Sequence, residues 1–269
     1  MKGLKSLFKV AKLFCTRKYV DLIDISNSYT KVSSNYSNSF LNEMHMYNEE
    51  MLDKFIDEYK EESSIRILDL ACGTGFNSTY IKKRINDSSF TLVDISKGML
   101  NEAKKNISCG EFIEKDMLGY LKGCREDSFD IVVCAWAIKY QNLHKIIKEV
   151  SRVLKKGGTL AVIVNLKSTL PEVRKIYPKV IINHSEKVDK IMLELPNPVS
   201  ERSFNRWFTS EKFNKKYSKS GSHSFNFKTT DELVNWVTST GALAGFDIMV
   251  NMDDKDVQET MANFLEREI

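Results

Sequence analysis

The stretch Ile67–Phe76, Ile-Leu-Asp-Leu-Ala-Cys-Gly-Thr-Gly-Phe, limits what this chain can fold into more than any other. An apolar run enters a small-residue turn with two glycines and passes at once into a helical pattern, as in a strand that delivers its backbone to a ligand. Gly73 and Gly75 suit such a turn because a side chain would hold the main chain off the ligand, and because the turn often requires positive φ. The pattern reads as a nucleotide-binding turn and leaves the nucleotide open.

Strand patterns at 65–70, 90–94, 111–114, 129–134 and 159–165 alternate with helical patterns at 76–85, 97–107, 117–122 and 141–155. Right-handed strand–helix–strand units of this kind give an α/β fold, a doubly wound, mostly parallel Rossmann-like sheet with helices on both faces. Ligands of such sheets bind outside the carboxyl ends of the strands at the topological switch point, where 66–76 would lie. A helical pattern over 47–59 leads into the first strand. Residues 22–40, rich in Ser and Asn with Tyr29, Tyr36 and Phe40 among them, read as an irregular flap.

All four prolines (Pro171, Pro178, Pro196, Pro198) follow Asn165 within a short span, marking an inserted region. Helices are expected there at 170–183 and 186–194, before an aromatic cluster (Phe204, Trp207, Phe208, Phe213, Tyr217). A helix at 229–240, a strand near Phe246–Val250 and a helix at 254–267 would return to the sheet. The expected division is 1–60 as an N-terminal helical flap over the cofactor site, 61–165 with 229–269 as the core, and 166–228 as an inserted lid.

At 269 residues the chain can bury a sizeable core, and no apolar run approaches the ~20 residues of a membrane-spanning helix. Charge is uneven. Residues 1–20 hold six Lys/Arg and no acid, and 166–228 hold thirteen Lys/Arg against six Asp/Glu, so the remainder is net acidic. The basic segments read either as solvated lysine-rich surface or as a site for an acidic partner or substrate. The N-terminal one places Leu4, Leu7, Phe8, Ala11 and Phe14 at helical spacing, an amphipathic helix that would pack over the site mouth or dock on a partner. Lys9 and Lys12 interrupt any signal-peptide apolar region. Five unpaired-looking cysteines and four scattered histidines fit a cytoplasmic, reducing setting without a metal site.

A dinucleotide fingerprint would need glycine where Ser78 stands, which disfavours an NAD oxidoreductase. Asp94, nineteen positions past Gly75, ends the second strand and suits both hydroxyls of a ribose. With these residues in place, residues 60–165 resemble a class I S-adenosylmethionine-dependent methyltransferase. Asp69-Leu-Ala71-Cys-Gly73-Thr-Gly75 resembles the first motif of that family, whose backbone holds the methionine end of S-adenosyl-L-methionine. Leu92-Val-Asp94-Ile95-Ser96-x-x-Met99 is similar to the second, with Asp94 on the ribose. Glu114-Lys-Asp116-Met117 is similar to the third, with Asp116 on the adenine amino group and Met117 beside the ring. The run from Phe129 to Ala135 resembles the fourth, and Glu149-x-x-Arg152 to Gly158 resembles the stretch before the fifth strand.

Such chemistry asks little of catalytic groups: the sulfonium carbon is already electrophilic, so holding a nucleophile in line and excluding water suffice. The resemblance implies acceptor-side roles for Trp136 and Tyr140 after the fourth strand, Asn165 after the fifth, and Tyr36 in the flap. Lys139 lies among them. His184 and His223 are further candidate bases, whereas His144 reads as a surface or capping residue. A lid implies a small-molecule substrate rather than duplex nucleic acid. Arg202 and Arg206 beside the aromatics would suit a carboxylate or a carrier-bound acid, although stacking of single-stranded RNA on those rings is an alternative.

The leading expectation is methyl transfer to oxygen or nitrogen of a small molecule, as in secondary metabolism. Alternatives are a cyclase that consumes the cofactor and releases methylthioadenosine, and a non-catalytic docking module. The family's usual antiparallel last strand is missing, and an exposed edge of this kind invites a homodimer.

Overall fold

In a computed structural model of the chain, residues 2–36, 41–211 and 213–268 are described, the side chains of 2–7, 41 and 42 excepted. The expected Leu4 and Leu7 stripe and Phe40 therefore lie outside the described side chains. Two compact units are present: Phe40–Lys167 with Leu195–Gly221, and Met1–Ser39 with Ser168–Glu194 and Ser222–Ile269. The 229–269 segment expected in the core thus groups with the N-terminal residues, and the expected lid is divided between the units.

The first unit carries five strands: β1 Ile65–Leu70, β2 Ser88–Asp94, β3 Glu111–Glu114, β4 Phe129–Ala135 and β5 Leu154–Ile163. All pairings are parallel, in the order β3-β2-β1-β4-β5. β1 is central, with β2 on one side and β4 on the other, so the winding reverses at its carboxyl end. Alternate residues of β1 feed two apolar layers. Ile67 joins Leu52, Ile56, Ile81, Leu92 and Leu100 on one face. Leu68 and Leu70 join Val93, Val132, Ile146, Ile147 and Val150 on the other. The helix Leu143–Val153 buries Leu143, Ile146, Ile147, Val150 and Val153 along one stripe, which is why it lies flat on the second layer. Trp207, Phe208 and Phe213 pack against that same layer, giving the aromatic cluster a structural role.

β5 begins earlier than expected. Leu154 pairs with Phe129 directly after the helix, and the Gly157–Gly158 pair, expected before the fifth strand, lies within it at an irregularity of register. Gly158 must be small, because a Cβ there would stand 2.8 Å from the carbonyl oxygen of Asp130.

Three further expectations are corrected in the second unit. Leu22–Tyr36 is a helix rather than an irregular flap. Asp21 Oδ1 accepts from the amides of Ile23 and Asp24 at its start, and Ile25 and Ser28 are buried. No helix spans 186–194. Only Ser185–Lys187 turns, after which Ile191 forms a parallel bridge with Tyr19 that draws the segment out. The strand expected at Phe246–Val250 is a run of turns. Gly241 and Gly245 adopt φ of 74° and 91°, and Asp247 Oδ1 accepts from Gly245 N and Ser28 Oγ, so Met249 and Val250 are buried by side-chain packing without strand pairing. No sixth strand forms among the described residues. The final helix, Lys255–Glu266, is present as expected.

Candidate functional site

At the carboxyl end of β1 the backbone turns through positive φ three times, at Ala71 (54°), Gly73 (54°) and Gly75 (80°). Cys72 N donates to Val93 O at 3.0 Å and Gly75 N to Cys72 O at 2.9 Å, which pins the turn to β2 and closes it onto the helix Phe76–Lys82. A Cβ at Gly73 would meet nothing within 4 Å, so this backbone borders open space. At Gly75 a Cβ would lie 3.2 Å from Cβ of Ala103, on a backbone that L side chains rarely adopt. Gly75→Ala is therefore expected to lower stability by about 1–2 kcal/mol, read from the urea midpoint.

Asp69 and Asp94 flank the turn. Asp69 is 1% exposed; its Oδ2 accepts from Ser78 Oγ at 2.8 Å, while its Oδ1 is buried without a partner. An acceptor so placed calls for a donor, and a cationic one pairs best with a carboxylate. Asp94 Oδ2 accepts from Gly73 N at 2.9 Å and its Oδ1 from Ser96 N at 2.8 Å. Burial raises both carboxyls to about 6 against those hydrogen bonds, and the charge of Asp94 adds to the rise at Asp69.

Ile95 follows Asp94, and Met99, 1% exposed, donates its amide to the N-capping Ser96 Oγ at 3.2 Å. Asp116 caps the helix Met117–Leu121 by accepting from Gly119 N at 2.8 Å. Burial works to raise its pKa, but hydrogen bonds from Gln141 Nε2, at 2.7 Å, and from Gly119 outweigh it and hold the carboxyl below its usual value. Met117 is buried, its sulfur 3.8 Å from that of Cys134.

On the β4 side Ala135 pairs with Ile163. Trp136 then takes the left-handed backbone (φ 64°), its amide donating to Ile163 O at 2.7 Å. That bond brings the turn after β4 beside the end of β5, two residues before Asn165. Tyr140 closes the short helical turn Ile138–Tyr140. Between them, Lys139 is only 5% exposed; among the described residues it makes no ion pair, and its Nζ sits 5.6 Å from the Tyr140 ring centroid. Burial alone pulls its ammonium down to about 8.

The structure thus brings together Asp69, Ala71, Gly73, Gly75, Asp94, Ile95, Met99, Asp116, Met117, Ala135, Trp136 and Tyr140 on one sheet edge. Tyr36 belongs to the second unit, where its ring meets Tyr29 edge-on at 5.9 Å and lies against Gly241. His184 Nε2 bonds Thr260 Oγ1 at 2.8 Å within that unit. Sequence reasoning missed Asn48, which accepts from Trp136 Nε1, Gln141, which donates to Asp116, and Asn77, which accepts from Asn48. It also missed His45, stacked on Phe76 with ring centroids 3.5 Å apart and its Nε2 buried without a partner. Desolvation lowers His45 to about 4, so it is a neutral ring at pH 7.

Residues 67–158 match the family of methyltransferase domains. Over 104 residues the chain is 30% identical to malonyl-[acyl-carrier protein] O-methyltransferase of Priestia megaterium, covering 36% of this chain and 35% of that protein. Over 99 residues it is 31% identical to demethylmenaquinone methyltransferase of Thermotoga maritima, covering 36% and 42%. The chain therefore spans well under half the length of these relatives. Among solved structures, a candidate sarcosine dimethylglycine methyltransferase from Galdieria sulphuraria superposes with a TM-score of 0.50 at 14% identity, covering 82% of this chain and 78% of that one, a likeness of fold alone. The sheet order, the glycine turn and the matched segment agree: residues 67–158 form a methyltransferase domain of the class I S-adenosylmethionine-dependent kind.

Proposed function

We propose that the chain transfers a methyl group from S-adenosylmethionine to an oxygen or nitrogen of a small, carboxylate-bearing acceptor, free or carrier-bound. The observation that carries this reading is the buried, unpartnered Oδ1 of Asp69 beside a glycine turn bordering open space. An α-ammonium is the group such an oxygen lacks. Asp94 would take the ribose hydroxyls, and Asp116 with Met117 the adenine. The cofactor supplies an electrophilic methyl carbon, so the protein's task is to align the nucleophile and exclude water.

Lys139 supports the carboxylate. A buried ammonium without a counter-ion is costly, and an anion arriving at the end of β4 would offset that cost. The malonyl-[acyl-carrier protein] O-methyltransferase relative makes a malonyl thioester the first acceptor to try. Incubation with S-adenosylmethionine and malonyl-acyl carrier protein, or a panel of small acids, should yield adenosylhomocysteine only when an acceptor is present. Methylthioadenosine released without an acceptor would overturn methyl transfer in favour of cyclisation.

Lys139→Met is expected to raise the KM for the acid roughly tenfold or more, the worth of one charge-assisted hydrogen bond. It should leave adenosylhomocysteine affinity unchanged and keep or raise the melting temperature. A melting temperature that fell with KM unmoved would assign Lys139 to structure alone.

A further inference from the structure

On the sheet face that buries Val132, Ile147 and Val150, a cavity of about 520 Å³ is lined by Arg66, Lys115, Tyr120, Cys124, Arg125 and Phe129, among others. Its lining holds three cationic side chains and no carboxylate. Among the described residues, Arg66, Lys115 and Arg125 make no ion pair. Like charges gathered in one concave site repel one another, and a cleft of one sign with low-dielectric walls concentrates its field on whatever enters.

The groups that would oppose an anion are already engaged. The loop bearing Cys124 and Arg125 follows the helix Met117–Leu121, whose carbonyl end is the negative one. Arg152 neutralises that end: its Nη1 donates to Cys124 O and its Nη2 to Leu121 O, both at 2.8 Å, while Glu149 Oε2 accepts from Nε at 2.9 Å and from Nη2 at 2.7 Å. Ser128 Oγ donates to Arg125 O at 2.7 Å, which fixes the far end of the loop. Asp130, next to Phe129, accepts from Lys155 Nζ at 2.8 Å and from the Arg66 amide at 2.9 Å. The Arg66 guanidinium itself lies over the Phe129 ring, 5.4 Å from its centroid, so its fork is oriented by an aromatic face and keeps its donors. Burial raises the Cys124 thiol against the charges of Arg152, Lys115 and Arg66, a sign that the positive field reaches the cavity wall.

We infer that this cavity is a binding site for a small polyanion carrying several phosphate or carboxylate groups, separate from the cofactor and acceptor sites. One anionic group would satisfy only part of the three cations, and the volume falls within the ~300–1,000 Å³ of small-molecule sites. Asp69, Asp94, Asp116 and Lys139 do not line it.

The test uses tripolyphosphate and citrate, titrated separately into the unmodified protein by calorimetry at low ionic strength, where exposed cations are least screened. Saturable binding of one equivalent is expected for at least one of them, and the tighter of the two tells phosphate from carboxylate as the group recognised. Lys115 and Arg125 are exposed, so their removal spares the fold. Lys115→Ala and Arg125→Ala should each weaken binding roughly tenfold or more, the worth of one charge-assisted hydrogen bond.

Two controls locate the site. Lys145→Ala with Lys148→Ala removes two exposed cations from the helix Leu143–Val153 of the same unit and should leave the affinity unchanged, as should Lys139→Met. No saturable binding of either polyanion, or an equal loss in the Lys145–Lys148 double variant, would mean diffuse attraction only and overturn the site. A loss in Lys139→Met with Arg125→Ala unaffected would move the anion to the acceptor side and overturn it as well.

Discussion

Asp94→Ala is expected to weaken S-adenosylhomocysteine binding by roughly two orders of magnitude or more, measured by titration calorimetry. The carboxylate would accept from ribose hydroxyls, and hydrogen bonds to a charged group contribute about 1.5–3 kcal/mol each, with a factor of ten for every ~1.4 kcal/mol. The same oxygens also hold Gly73 N–H and Ser96 N–H, so alanine leaves both amides without their acceptor and loosens the turn itself. The loss should exceed that at a residue with ligand contacts only.

Asp94→Asn tests the dual role. It preserves volume but turns one acceptor into a donor, which then faces one of those backbone N–H groups. The asparagine variant should bind nearly as weakly as the alanine variant and melt at a lower temperature than the unmodified protein. Retained affinity in Asp94→Ala, with circular dichroism unchanged, would remove Asp94 from the cofactor site.

The contrast between Asp94 and Asn48 shows what the sequence displays and what it hides. Asp94 is legible because its position is a local relation: a strand end, a fixed distance from a glycine turn, in a sheet whose alternation is written every few residues. The parallel alternation of strands and helices follows from the same periodicity and the handedness of crossovers, whereas the order β3-β2-β1-β4-β5 is seen only in the folded sheet. Asn48 reaches Asn77 and Trp136 across separations of 29 and 88 residues, and nothing in an amide's neighbours marks such a contact.

Local rules also misled. The Ser- and Asn-rich 22–40 segment suggests turns, yet Asp21 caps a helix whose Ile25, Tyr29, Val32 and Tyr36 share one face, and tertiary burial overrides propensity. The apolar Phe246–Val250 run suggests a strand, yet two left-handed glycines and the Asp247 hydrogen bonds fold it into turns. Periodicity reports that a residue will be buried; it does not report whether a sheet or side chains will bury it.

Lowering the pH should move the contribution of Asp69 to stability and the affinity for the cofactor in opposite directions. Burial raises Asp69 and Asp94 to about 6, above the ~4 of an exposed aspartate. Between those values the folded chain keeps protons that the unfolded chain has lost. Each group's contribution to stability is therefore full below about pH 4 and falls as pH rises to 6, by roughly 2–3 kcal/mol for either. Carboxyls held low, Asp116 among them, slope the other way, so the comparison to make is with Asp69→Asn, which removes one of the raised groups. The stability difference between the two proteins should open between pH 4 and 6, with the asparagine variant gaining relative to the unmodified chain as pH rises.

Binding follows the opposite sign, because only the ionised Asp69 pairs with an ammonium. S-adenosylhomocysteine affinity should fall about tenfold from pH 7 to pH 5, one unit below the raised value, and binding near pH 6 should release protons, seen as heats that depend on the buffer's ionisation enthalpy. Asp69→Asn should bind weakly at both pH values with little slope between them. An unmodified protein whose affinity is flat from pH 7 to 5 would mean that the buried oxygen of Asp69 does not receive the cofactor's charge.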